Sequence, residues 1–211
     1  MKKVFNIVLI VVMLTGLIGV LTGCKKDELD PNKEYVSINI PSNGSTYNQT
    51  GYMILDENVL KVKKVDYEDT SKYKDRTGYT TNNLYYFEGV KQGNTEVWVI
   101  DMYPEEVLDI RKYEVSVDAN LNAKIINSQV LENVRVKSDS ISFKNSVKDI
   151  EVNFEDTGIA KNMYVSAWPN TINVIGIKTG NTIMTVKEKD GSNKKYNVKV
   201  DSNLNVEIEE M

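Results

Sequence analysis

One residue in this chain is equipped for covalent chemistry. Cys24 is the sole cysteine, and it comes directly after Leu21-Thr22-Gly23. A thiolate is a nucleophile, and here no partner thiol exists for a disulfide. The chain has no His, which removes the commonest general base and metal ligand. Triads, His-ligated zinc sites and His-activated nucleophiles are excluded with it. Glu105-Glu106 and the acids Glu207, Glu209 and Glu210 could pair as acid and base, but such neighbours on a strand or first helical turn usually form a solvated face. Asp118-x-Asn120-x-Asn122 echoes the first three ligands of a calcium loop. The sixth position lacks Gly and the twelfth is Gln129, so a structural hairpin loop is expected, as for its twin at Asp201 to Asn205. The expectation is therefore no enzyme, no catalytic residue, no cofactor and no metal. A net charge of −4 gives no grip on phosphate, so no nucleic-acid partner is expected either.

The surroundings of Cys24 give it a use. Met1-Lys2-Lys3 is a short positive segment, and Val4 to Val20 is apolar apart from Asn6, Thr15, Gly16 and Gly19. Charge, apolar core and small residues in that order make an export signal. With the small residues directly before a cysteine, Leu21 to Cys24 resembles the lipobox of bacterial lipoproteins. The resemblance implies that residues 1–23 are a cleaved signal peptide and that Cys24 is lipidated as the first mature residue. The chain would then sit on the extracytoplasmic face of the cell membrane, held by acyl chains at about 0.8 kcal/mol per buried methylene. Residues 24–33, polar and Pro-containing, read as a solvated tether.

Beyond the tether the chain carries one pattern twice. Gly89-Val90-Lys91-Gln92-Gly93-Asn94-Thr95 recurs as Gly176-Ile177-Lys178-Thr179-Gly180-Asn181-Thr182. Tyr113-Glu114-Val115-Ser116-Val117-Asp118-Ala119-Asn120-Leu121-Asn122 recurs as Tyr196-Asn197-Val198-Lys199-Val200-Asp201-Ser202-Asn203-Leu204-Asn205. The order is kept, and the first unit carries four more residues between the two motifs. Apolar residues fall on alternate positions in both copies of the second motif and in Val36-Ile38-Ile40, Leu60-Val62 and Met184-Val186, which is the strand period. The Gly-x-Lys-x-Gly-Asn-Thr segments read as tight turns using positive φ at Gly. Pro104 to Lys112, with Pro at N1 and acids in the first turn, is the best helical candidate. The expected architecture is all-β: two small β-sandwich domains, 34–126 and 134–211, joined at 127–133.

The repeated turn, strand and Tyr-x-Val-x-Val ending is similar to bacterial immunoglobulin-like repeats, and the second unit also to the small β domains of pilus-assembly secretins. Both resemblances imply immunoglobulin-like sandwiches and mark turns rather than ligands. In the first unit Asn48-Gln49-Thr50-Gly51-Tyr52 resembles the N-P-T-T-G-Y loop of chagasin-like inhibitors of cysteine proteases, sandwiches that wedge three loops into a papain-type cleft. The second loop would be Thr77-Gly78-Tyr79 and the third Tyr103-Pro104; the family's Arg and Trp of that third loop are absent here. On this resemblance Thr50 would be the tip, Gly51 the turn at positive φ, and Tyr79 and Tyr103 rigid flanks. Asn48 to Tyr52 can equally be an ordinary turn with Tyr52 in the core. Eight of the twelve tyrosines lie between Tyr47 and Tyr103, either a recognition surface or half-buried strand positions. Trp98 is expected to pack against a sheet. The function expected is binding of a protein partner, such as a papain-like protease or another surface protein, through loops. The alternative is a structural or adhesive module that contacts cell wall or carbohydrate.

Overall fold

Alternating apolar residues become strands wherever one side of the chain can be buried, and the duplicated motifs decide where it turns. The computed structural model describes residues 28–43, 49–69, 80–103, 105–143, 150–165, 171–188 and 190–211. The chain divides into Met1–Pro31 and Asn32–Met211, and all the strands belong to the second part. Among the described residues there is no helix. The first repeat supplies β1 (Val36–Asn43), β2 (Gln49–Ile54), β3 (Leu60–Asp66), β4 (Thr80–Gly89), β5 (Gly93–Tyr103), β6 (Glu106–Val117) and β7 (Ala123–Leu131). A short β8 (Val136–Lys137) lies between the repeats. The second repeat supplies β9 (Asp139–Ser142), β10 (Ile150–Phe154), β11 (Ala160–Val165), β12 (Thr171–Gly176), β13 (Gly180–Glu188), β14 (Asn193–Val200) and β15 (Val206–Glu210).

The strand orders match position for position. The first repeat has β1-β4-β3 facing β2-β5-β6-β7, and the second has β9-β12-β11 facing β10-β13-β14-β15, all pairs antiparallel. A constant-type immunoglobulin sandwich pairs strands A-B-E-D and C-F-G. Here the first six strands of each repeat take the places of B to G. Among the described residues no strand takes the place of A, and a further strand comes after G.

Small bonds repeat with the strands. Asp56 N donates to Thr95 Oγ1 and Asp156 N to Thr182 Oγ1, both at 2.9 Å. Val90 N reaches Val59 O as Ile177 N reaches Ile159 O. Gly89 and Gly176 are glycines because the hairpin loop crosses them: an added Cβ would lie 2.8 Å from Leu121 O in one and 2.6 Å from Leu204 O in the other. Gly93 and Gly180 turn at φ +155° and +156°, as the motif requires.

The two sandwiches share a sheet. β2 pairs with β11, Tyr52 opposite Tyr164 and Gly51 opposite Val165. One eight-stranded sheet results, of order β7-β6-β5-β2-β11-β12-β9 with β8 beside β6. Each sandwich has its own core, around Phe87, Leu60 and Val115 in the first and Met184, Val186 and Val198 in the second. A third core fills the space where they meet, with Met53, Trp98, Ile100, Met102, Val107 and Ile110 against Met163 and Ile175.

Two expectations need correction. Of the helix expected over Pro104 to Lys112, Glu106 to Lys112 is instead part of strand β6, Glu106–Val117. Val107 and Ile110, three positions apart, both reach the third core because of a bulge: Asp101 faces Asp109 and Met102 faces Val107, leaving Leu108 over. The stretch 127–133, expected as a junction, is largely strand, since β7 continues to Leu131. Asn127, Ser128 and Gln129 carry no apolar alternation because β7 lies at a sheet edge and is exposed from Lys124 to Val130. The chain turns only after it, with Asn133 and Arg135 at φ +55° and +51°. Asn133 N donates to Asp109 Oδ1, Val134 N to Leu108 O and Ser138 N to Glu105 O, so this connection is fastened to β6.

Candidate functional site

The strand ends that border the three expected loops lie at one pole of the first sandwich. Asn43 at the end of β1 faces Thr80 at the start of β4. Gln49 at the start of β2 faces Met102, and Tyr103 at the end of β5 faces Glu106. β11 ends at Val165 opposite Gly51, so its end joins the same pole. Segments 44–48, 70–79 and residue 104 connect these ends, and with them Asn48, Gly78, Tyr79 and Pro104 lie outside the described residues. Cys24, the signal segment and the first four residues of the tether, 24–27, lie outside them too.

Gln49, Thr50, Gly51 and Tyr52 are not a loop. They are the first four residues of β2, a strand buried between β5 and β11. Thr50 is 6% exposed, and its Oγ1 donates to Asp101 Oδ1 at 2.6 Å. Arg111 Nη2 donates to the other oxygen of that carboxylate at 3.3 Å. Gly51 does not turn the chain at positive φ; it admits β11, since a Cβ there would lie 2.6 Å from Tyr164 O and 2.8 Å from Met163 Cγ. Tyr52 stacks on Tyr164 at 5.4 Å and tilts against Tyr85 at 5.0 Å. The edge that a lone sandwich would leave open here is covered by the second sandwich, which the short motif could not reveal.

Burial shifts the ring hydroxyls. Desolvation raises Tyr52 far above an ordinary phenol, with Tyr85 and Tyr164 as further causes, and pushes Tyr85 up to about 12. Tyr85 is a core residue and Tyr52 packs against that core. Tyr67, just past β3, and Tyr103, at the end of β5, are 69% and 46% exposed. Both belong to the pole. The connecting segments there also hold Tyr47, Tyr73 and Tyr79 in sequence, whereas the corresponding connections of the second repeat hold no tyrosine. Trp168, the aromatic residue of one of those connections, lies outside the described residues.

Other residues have structural duties. Trp98 is 5% exposed, its Nε1 donates to Glu96 Oε2, and Lys112 Nζ sits 3.8 Å from the ring centroid. Lys161 is 7% exposed; its Nζ donates to the carbonyl of Ile54 and pairs with Glu57 at 3.2 Å, tying β11 to the end of β2. Sequence reasoning passed over this lysine, whose polar type on a strand resembled a solvated position. Gln49 Oε1 and Asn173 Nδ2 are buried without a hydrogen-bond partner among the described residues.

The Asp118 and Asp201 loops close on themselves. Asp118 Oδ1 accepts from Asn120 N and Asn122 N, both at 2.9 Å, and Oδ2 accepts from Asn122 Nδ2 at 3.2 Å. Asp201 repeats the pattern with Asn203 and Asn205. These bonds hold both carboxyls below their ordinary range, with Asn122 and Asn205 the main causes. The geometry also places Leu121 and Leu204 at φ +64° and +66°, a conformation costing about 1–2 kcal/mol for a side chain with Cβ. Among the described residues no three His, Cys, Asp or Glu side chains are grouped to hold a metal ion.

Comparison with known proteins adds no relative. No family model matches the chain, and no curated protein and no solved structure matches it either.

Proposed function

We propose that this chain is a lipid-anchored, extracytoplasmic binding protein without catalytic activity, which takes hold of a protein partner at the tyrosine-rich pole of its first sandwich. The observation that carries the reading is the gathering of the β1, β2, β4, β5 and β6 ends at one pole, with Tyr67 and Tyr103 exposed there. Tyrosine supplies large contact area at low conformational cost, the usual means by which loops recognise proteins. The shared sheet and third core support it further, because a rigid base keeps loop ends in register for binding. Cys24 supplies the anchor in this reading.

A finer version is inhibition of a papain-like cysteine protease. A three-loop wedge needs its loops at one pole, which the flanking strand ends satisfy. The wedge would consist of 44–48, 70–79 and the Tyr103–Glu106 tip, with Thr50 to Tyr52 as foundation. The test is a fluorogenic papain assay with the full chain in detergent. Slowing of hydrolysis that is lost in Tyr103→Ala supports inhibition. No slowing at micromolar chain leaves the pole to another surface protein, or the chain to a spacer or adhesive role on cell wall or carbohydrate. Incorporation of labelled palmitate, abolished by Cys24→Ala, tests the anchor.

A further inference from the structure

Duplication gives each sandwich a last strand in the same place, and the two strands have opposite characters. β15 ends the second sandwich with exposed Glu207, Glu209 and Glu210, of which Glu207 and Glu210 pair across to Lys199 and Lys194. Charge of this kind keeps an open edge from pairing with other chains. β7 ends the first sandwich and the eight-stranded sheet. It runs for 9 residues, Ala123–Leu131, and is exposed from Lys124 to Val130. Ile125, Ile126 and Val130 are 41%, 47% and 58% exposed. Lys124 is its sole charged residue. A groove of about 430 Å³ opens beside it, lined by Tyr35, Val36, Ala123 and Ile125 among others; the segment before β1 bonds to the strand at its first residue, where Ala123 N donates to Glu34 O.

We propose that β7 is a dimerisation strand, on which two copies of this chain pair antiparallel about a two-fold axis at Ser128 and join their eight-stranded sheets edge to edge. The register is set by the strand's own faces. β7 pairs with β6 through Val115–Ile125 and Glu114–Asn127, leaving Ile126 as a bulge. Ile125, Ser128 and Val130 therefore lie on one face, and Asn127, Gln129 and Leu131 on the other. Centring the pair on Ser128 sets Ile125 opposite Val130 of the second copy and Asn127 opposite Gln129, each twice. Apolar meets apolar on one face, and amide meets amide on the other. Lys124 of each copy comes to the end of the other strand, next to Glu132, so the terminal charges are complementary where the strands would otherwise end unpaired. A contact that maps one patch onto itself closes after two copies.

The test is cysteine crosslinking of the full chain in detergent. Facing residues of an antiparallel pair have Cβ atoms near disulfide reach. Ser128→Cys should give a disulfide-linked dimer on mild oxidation, in about tenfold higher yield than Ser192→Cys on the exposed β13–β14 loop. The unaltered chain, carrying Cys24 alone, sets the background. Val130→Lys, at an exposed position that leaves the fold intact by circular dichroism, should lower the Ser128→Cys yield by about tenfold. Equal yields for Ser128→Cys and Ser192→Cys, or a yield unmoved by Val130→Lys, would overturn the proposal.

Discussion

The two sandwiches use one strand order and bury it differently. In β5 the run Val97-Trp98-Val99-Ile100 is buried on both faces, Val97 and Val99 in the first core and Trp98 and Ile100 in the third. Its counterpart β13 alternates, with Met184 and Val186 buried and Lys187 exposed. β2 is buried almost throughout, whereas β10 leaves Glu151 and Asn153 exposed. In the second sandwich it is β12 that loses alternation, with Ile172 to Gly176 all buried. Each sandwich thus gave up the polar face of the strands that meet the other. The four extra residues of the first unit lengthen the β5–β6 hairpin, and Met102 and Val107 in that extension belong to the third core. A lengthened hairpin and a glycine turned two copies of one fold into a single body.

The largest expected effect comes from exchanging residues between equivalent edges. Gly51→Glu, which places the residue of position 151 where β11 approaches, should destabilise the chain by about 3 kcal/mol or more, because the new side chain meets Tyr164 O and Met163 with no room to relax. Thermal unfolding should split into two transitions. Glu151→Gly, at an exposed strand position, should cost only about 0.5–1 kcal/mol; similar losses for both variants would mean that β2 and β11 do not hold the sandwiches together.

A second contrast is titratable. Tyr85 in the first core has its pKa raised to about 12 by burial, and Tyr52 beside it is raised further. A group held neutral in this way contributes stability that is whole below pH 10 and is lost as pH rises toward 12. The loss for Tyr85 should be about 2–3 kcal/mol. Denaturant unfolding followed between pH 9 and 12 should show it, and Tyr85→Phe should flatten the slope. An unchanged slope would mean that the hydroxyl is solvated.

Where the copies are alike, substitutions should act alike. Gly89→Ala and Gly176→Ala each press a methyl group against a loop carbonyl and a valine, so each should cost about 1–3 kcal/mol, measured by midpoint shifts in urea. The smallest effect is expected at Asp118 and Asp201. Their carboxyls are held low by loop hydrogen bonds, so the stability they add is present above their ordinary range and lost as pH falls through the lowered values. Proton titration by NMR should find both below 3.8, and Asp118→Asn and Asp201→Asn should shift the acid midpoint equally.

Much of this was legible in the residues themselves. Alternation in Tyr113-Val115-Val117 and Tyr196-Val198-Val200, and paired Gly-x-Lys-x-Gly-Asn-Thr turns, mark strands and hairpins because side-chain direction and glycine conformation are local properties. The absence of His likewise removes His-based chemistry before any fold is known. Gln49-Thr50-Gly51-Tyr52 misled because a short motif carries no sign of what lies beside it. Taken alone, Gly51 suggests a turn; beside Tyr164 O it is a contact.

Local pattern, then, determined the strands, the turns, the duplication and the all-β class, since each depends on neighbours within a few positions. Tertiary structure alone decided that β2 is an interior strand, that Lys161 is a buried tie, that the two sandwiches share a sheet and that the last strand of the first lies at that sheet's edge among the described residues. Those outcomes depend on pairing between residues about a hundred positions apart, such as Tyr52 with Tyr164, and long-range contact leaves no period in the chain to read.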